Sequence, residues 1–122
     1  MDNKRVDFLG SSYKDLLDMP EKVIDQFGYE LGLVQNDMTP EGAKHLTKTF
    51  GNGVWELRDS HDGDAYRAVY YLKHEDVVFV LHCFKKKSKK GGEIPTADKA
   101  TIDARLAAAR IKIEQMKKDQ GT

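Results

Sequence analysis

The spacing of apolar residues changes period along the chain, and each change predicts an element. Residues Arg5 to Gly10 alternate weakly, with Val6 and Phe8 on one side and Asp7 and Leu9 on the other, which predicts a short first strand. Tyr13, Leu16 and Leu17 then fall at i, i+3 and i+4, enough for a helix of one or two turns. Asp18-Met-Pro-Glu21 reads as the start of a second helix. An Asp caps free backbone N–H groups, Pro is tolerated in a first turn, and Glu three residues after the cap reaches back to it. In that helix Ile24, Phe27, Leu31 and Val34 form a stripe that buries one face. Gly28 and Gly32 lie inside the pattern and each costs about 1 kcal/mol relative to Ala. Either they admit close packing on a sheet or the helix ends before them. Residues 35–53 are rich in Gly, Pro, Asn and Asp, and the spacing of Ala43, Leu46 and Phe50 predicts one irregular turn of helix.

From Val54 the period drops to two. VWELRDS, AYRAVYYL and VVFVLHCF read as three consecutive strands. The first places Trp55, Leu57 and Asp59 on a core face and Val54, Glu56 and Arg58 on the other. Asp62-Gly63 is a hairpin signal, so the second strand runs antiparallel with Arg67, Val69 and Tyr71 sharing a face. The third strand is apolar on both faces until His82, the mark of a strand covered on both sides. A lysine run follows, Gly91-Gly92 breaks the chain, and a long helix is predicted from Thr96 to Lys118. Its stripe is Ile102, Leu106, Ala109, Ile113 and Met116, and its opposite face carries Lys99, Arg105, Arg110, Lys112 and Lys117.

Composition narrows the class. A chain of 122 residues is expected to form one domain, 1–122, with a fraying tail from about 118, and to bury roughly two-thirds of its unfolded surface. With 33% charged and 39% hydrophobic residues it is globular, and no apolar run approaches the roughly 18 residues of a membrane helix. The start lacks the features of a signal peptide and Cys83 is the single cysteine, so a cytoplasmic protein without disulfides is expected. The net charge is zero but uneven: residues 1–84 are acidic on balance, and the segment from Lys85 onward is strongly basic. That layout argues against a general nucleic-acid coat protein and for local steering of an anionic partner.

The candidate chemistry follows from the strand faces. Arg58 and Arg67 share a face under the matching register, where two guanidiniums would form a fork for phosphate, unless each merely pairs with a carboxylate such as Glu56. His82 is a candidate general acid or base, with a histidine bonded to backbone as the plainer alternative. Lys85, Lys86, Lys87, Lys89 and Lys90 form a cationic rim coming directly off a central strand, where a solvated charge run is the ordinary case. His61-Asp62 with Asp64, and His74-Glu75-Asp76, sit in turns and match no zinc spacing, so no metal and no cofactor is predicted. Cys83 points away from His82, which disfavours a Cys–His nucleophile.

At ELR (56–58), YRAVYY (66–71) and VLHCFKKKS (80–88) the chain resembles the RelE/ParE toxin superfamily in its HigB-like, phage-derived branch. FLGSS, DLLDMP, GYELGLVQ and the last helix fit as well. The resemblance implies an α+β fold: a small antiparallel sheet, mixed at an edge, with two N-terminal helices on one side and a C-terminal amphipathic helix. It implies a toxin of a type II toxin–antitoxin system, a metal-independent endonuclease that cuts mRNA on the ribosome. Its partners would be mRNA, the ribosome and a cognate antitoxin, usually a helix-turn-helix DNA-binding protein. By resemblance Arg67 matches the arginine at the scissile phosphate, Lys85 to Lys87 fall where relatives place basic catalytic residues, and Arg58 and His82 match the branch's pattern. The chain departs from the RNA-cleaving pattern after Gly92, where it has no aromatic residue and no histidine. Two other readings stand beside this one: a ParE-like, non-enzymatic inhibitor of DNA gyrase, and a small binding module with a basic docking surface.

Overall fold

The computed structural model describes residues 3–86 and 93–120. In chain order its elements are β1 (Arg5–Phe8), α1 (Ser12–Leu17), α2 (Glu21–Gln35), β2 (Lys44–His45), α3 (Thr47–Phe50), β3 (Val54–His61), β4 (Asp64–His74), β5 (Val77–Lys86) and α4 (Thr96–Gln120). The strands form one sheet in the order β1-β5-β4-β3-β2. β3, β4 and β5 are an antiparallel meander, and β1 joins the edge of β5 in parallel, Val6 opposite Val78 and Phe8 opposite Val80. The architecture is the α+β arrangement expected, mixed at one edge.

The β3–β4 hairpin turns on Asp62 and Gly63, both left-handed at φ 51° and 84°. That pairing matches the right-handed twist of the flanking strands, and it fixes Arg58 directly opposite Arg67. α1 and α2 cover one face of the sheet. Val23, Phe27, Leu31 and Val34 of α2 pack there with Leu57, Ala68, Tyr70, Val78 and Val80. α4 covers the other, with Ile102, Leu106, Ala109 and Ile113 against Val54, Val69, Tyr71, Phe79 and Leu81. β5, between the two layers, is therefore buried from Val77 to Phe84, which is why it reads as a continuous apolar run.

Several local expectations are corrected. The second helix begins at Glu21 with Pro20 at its N-cap and no side-chain cap. Asp18 instead is the C-cap of α1, its N–H bonded to Lys14 O, and lies two residues before the N-cap of α2. The buried stripe of α2 uses Val23 in place of Ile24, which is only half-buried. A Cβ at Gly28 or Gly32 would meet nothing within 4 Å, so neither glycine serves close packing. The helix nevertheless runs through both to Gln35, because tertiary burial of its stripe outweighs a propensity cost of about 1 kcal/mol each. The irregular turn expected in the loop is α3, and beside it the two-residue β2 pairs Lys44 with Glu56 and His45 with Trp55.

One irregularity positions the site. Pairing of β4 with β5 skips Leu81, so that Val69 opposes His82 while Tyr70 opposes Val80. This bulge puts both Leu81 and His82 on the α4 side and resets the alternation beyond it. Cys83 then faces α1 and α2, and Phe84 packs in the core beneath α4.

Candidate functional site

Beyond the apolar seat of α4, the same sheet face becomes polar. Glu56, Arg58, Arg67, His82 and Lys86 gather there, carried by three adjacent strands in fixed register. Like charges directly opposite each other on a sheet repel, so the Arg58–Arg67 pair needs an anion between them. Glu56 supplies it. One carboxylate oxygen accepts from Arg58 Nε and from Arg67 Nη1, each at 2.6 Å. Glu56 is fully buried, and its second oxygen has no hydrogen-bond partner among the described residues. The carboxylate pairing foreseen as the plain alternative is thus present, and it leaves donors to spare. A guanidinium carries five N–H groups, and here each arginine gives one of them to Glu56. The Arg67 side chain is 8% exposed and that of Arg58 37%, so Arg58 opens to solvent while Arg67 lies at the floor.

His82 is held from α4. Its Nε2 lies 2.7 Å from Asp98 Oδ1, and Arg105 Nη1 approaches its Nδ1 at 3.4 Å. A carboxylate accepts and a guanidinium donates, so both neighbours fit the Nε2–H tautomer, with Nδ1 the accepting nitrogen. Arg105 also donates to Leu81 O at 2.9 Å, the carbonyl at the bulge, and to Ser11 Oγ at 3.0 Å. Gly10, at φ 55°, makes room for it: a Cβ there would lie 2.6 Å from Arg105 Nε. The Phe84 ring stacks on His82 with centroids 4.9 Å apart, and Phe84 itself opposes Arg67. His82 and Arg67 are thus diagonal neighbours on one face, a relation that typically spans about 7–8 Å.

The two described lysines of the basic run part company. Lys86 opposes Ala65 on the site face and is buried. Burial, then the Arg67 charge, hold its ammonium pKa below the ordinary lysine value. Lys85 points to the other side, opposite Tyr66, where Asp64 Oδ2 binds it at 3.0 Å and raises its pKa. The structure brings together Arg58, Arg67, His82 and Lys86 and does not bring Lys85 to them. Lys87, Lys89 and Lys90 lie outside the described residues. Cys83 faces away as expected, and burial pushes its thiol up to about 12, so it is inert as a nucleophile. Among the described residues no group of three His, Cys, Asp or Glu side chains is placed to hold a metal ion, and no helix is long and apolar enough to cross a membrane.

Asp98 and Arg105 were not foreseen as parts of the site. Both lie within one turn of Ile102, at i−4 and i+3, so they extend the buried stripe of α4 and a polar residue on that line was the available signal.

Residues 14–107 match the family model described as phage derived protein Gp49-like. The chain belongs to this family. The matched span runs from α1 into α4 and holds every residue of the polar corner, from Glu56 to Arg105. Among solved structures, a double arginine-to-alanine mutant of the E. coli toxin RelE in the free state is similar, with a TM-score of 0.51 and 19% identity. The match covers 68% of this chain and 82% of that one, and it shows that this Gp49-like chain has the RelE fold. No curated protein matches the chain.

Proposed function

We propose that this Gp49-like protein is a single-domain, cytoplasmic toxin of a HigB-like toxin–antitoxin pair that cuts mRNA on the ribosome, using side chains alone. The Gp49-like family and the RelE fold support the toxin class. The observation that carries the chemistry is the Arg58–Glu56–Arg67 fork set beside a histidine that is itself oriented by a carboxylate. An inhibitor that only blocks gyrase has no use for an aspartate-held histidine.

The reaction is transfer of the phosphoryl group to the neighbouring ribose 2′-oxygen. His82 Nδ1, which among the described residues meets only the long Arg105 contact, takes the 2′-OH proton as the new O2′–P bond forms. Arg67 and Arg58 neutralise the charge gathering on the phosphorane oxygens, with Glu56 fixing both guanidiniums beforehand. The P–O5′ bond breaks, and Lys86, whose lowered pKa makes it a readier donor, protonates the leaving oxygen. The products are a 2′,3′-cyclic phosphate and a 5′-hydroxyl end. A cognate antitoxin, a helix-turn-helix DNA-binding protein, would silence the site by covering the polar corner or gripping α1 and α2, where Tyr13, Leu17 and Tyr29 are exposed.

Mapping transcript ends after induction tests the reading. Cleavage with cyclic-phosphate ends is expected, whereas DNA damage with intact messages would establish the gyrase reading. Arg67→Ala should lower cleavage by about 10²–10³-fold, the range for removal of one preorganised donor. Arg67→Gln, which keeps a hydrogen bond to Glu56, guards against a mere folding defect. A folded variant of either kind that still arrests growth would overturn the assignment.

A further inference from the structure

On the α4 side, beyond β2, lies an open groove of about 850 Å³ lined by Lys44, His45, Leu46, Thr47, Lys48, Thr49, Glu93, Ile94 and Lys99. It brings together two stretches of chain far apart in sequence, β2 with α3 and the segment before α4 with the first turn of α4. Lys44, Lys48 and Lys99 are all exposed, and among the described residues none of them forms an ion pair. Some other lysines find carboxylates, Lys85 with Asp64, Lys112 with Asp7 and Lys117 with Glu114, and what sets the groove apart is that three lysines share it. Three unpaired ammonium groups converging on one concavity, against the single carboxylate of Glu93, make a local positive field in a chain of zero net charge.

The strand register relates the groove to the polar corner. Lys44 lies directly opposite Glu56 in the sheet, so its side chain leaves the same face as the carboxylate that clamps Arg58 and Arg67. One strand spacing, about 4.8 Å, separates β2 from β3. The lining also has the chemistry of phosphate contacts, which come from lysine ammonium groups and from threonine hydroxyls such as those of Thr47 and Thr49. An acidic peptide would want a central apolar pocket for anchoring side chains, and Leu46 and Ile94 are the aliphatic residues lining the groove.

We infer that this groove is a second subsite, the track for the phosphate backbone of single-stranded RNA on one flank of the cleaved bond, with Lys44, Lys48 and Lys99 as its phosphate contacts. The inference rests on the nuclease reading above and names where its substrate runs. It also gives the basic half of the site a path that does not depend on the lysine run after β5.

The test is fluorescence anisotropy with a labelled, 2′-O-methyl oligouridylate of 12 nucleotides, which binds without being cut, titrated against the full-length protein over a range of salt. Each phosphate contact on a single strand contributes about −0.7 to the slope of log K against log salt, so Lys44→Ala/Lys48→Ala/Lys99→Ala should flatten the slope by about 2. By the same slope, affinity should fall roughly 10²-fold at 0.1 M salt. Lys14→Ala/Lys22→Ala/Lys73→Ala, equal in charge change and away from the groove, should leave the slope within about 0.5 of the wild-type value. Absence of binding by the wild-type protein at low salt, an unchanged slope in the groove variant, or an equal loss in the control variant would overturn the proposal. So would a groove variant that binds RNA normally but loses binding to the antitoxin encoded beside it, which would make the groove a peptide site. Transcript-end mapping with wild-type protein stands apart from all of these outcomes, so failure of the track and failure of the nuclease reading are distinguishable.

Discussion

The two faces of the sheet are built from the same strands and solve opposite problems. Toward α1 and α2 the inward positions of β3, β4 and β5 are apolar through the middle of the sheet, from Leu57 through Ala68 and Tyr70 to Val78, Val80 and Cys83. Toward α4 the apolar packing covers only one end, and Glu56, Arg58, Arg67, His82 and Lys86 occupy the other. The first face gains stability by removing area from water. The second spends some of it to hold charges in place, since burying an ion is unfavourable unless a partner and hydrogen bonds compensate. The difference teaches where each face should be fragile: the apolar face to loss of volume, the polar face to loss of a partner.

The largest effect on stability should come from Glu56→Ala. Removing the carboxylate leaves two opposed guanidiniums with no anion between them, and breaking a buried pair in this way costs about 3–5 kcal/mol. The urea midpoint reads it, and a loss under about 1 kcal/mol would mean the arginines are held by something other than Glu56. Leu57→Ala, one residue away on the opposite face, should cost about 3 kcal/mol as a cavity. It should leave transcript cleavage per folded molecule unchanged, and if cleavage fell as well the two faces would not be independent. Gly10→Ala should cost about 1–2 kcal/mol from the left-handed backbone alone. It should also reduce cleavage, because the new methyl group displaces the Arg105 guanidinium that braces Leu81 O and His82.

The smallest expected effect lies on the apolar face, where one buried acid breaks the rule. Glu30 is 6% exposed with Oε1 unpartnered, and burial, with the nearby Asp59 charge, raises its pKa above the usual 4.5. The folded chain therefore holds this proton more tightly than the unfolded one. The stability contributed by that proton is complete below about pH 4.5 and is lost as pH rises through the folded value. Glu30→Gln should accordingly stabilise at pH 7 by about 0.5–1 kcal/mol, and the gain should close as the pH falls toward 4.5. Thermal melts at a few pH values decide it, and a gain independent of pH would place its origin in packing.

Much of this contrast was legible in the sequence. The alternation of Val54 to Asp59 and the Asp62-Gly63 turn suffice to set Arg58 against Arg67, because side-chain period and turn length together fix register. Depth was not legible. Glu56 looks in sequence like a residue of a solvated face, yet it is fully buried, since alternation tells which face a residue takes and not how far another layer extends over it. Nor was the partner of His82 accessible. Asp98 is 16 residues further along the chain, and only the seating of α4 brings it within reach. The capping of α2 failed for a local reason: α1 runs on to Asp18 as its C-cap, and Pro20 takes the N-cap position of α2.

The bulge at Leu81 has one more consequence. A strand is a two-letter alternation, and a single unpaired residue acts on it as a frame shift does on a reading frame: every later side chain changes sides. With Leu81 paired in regular alternation, Cys83 and Lys85 would stand beside Arg67, and His82 and Lys86 would face α1. The membership of the site is therefore set by a count of residues as much as by their identities. Deleting Leu81 should remove the bulge and join Val80 to His82 in regular alternation, with His82 and Lys86 still on the α4 side, so the site depends on where the extra residue is absorbed and not on the Leu81 side chain itself.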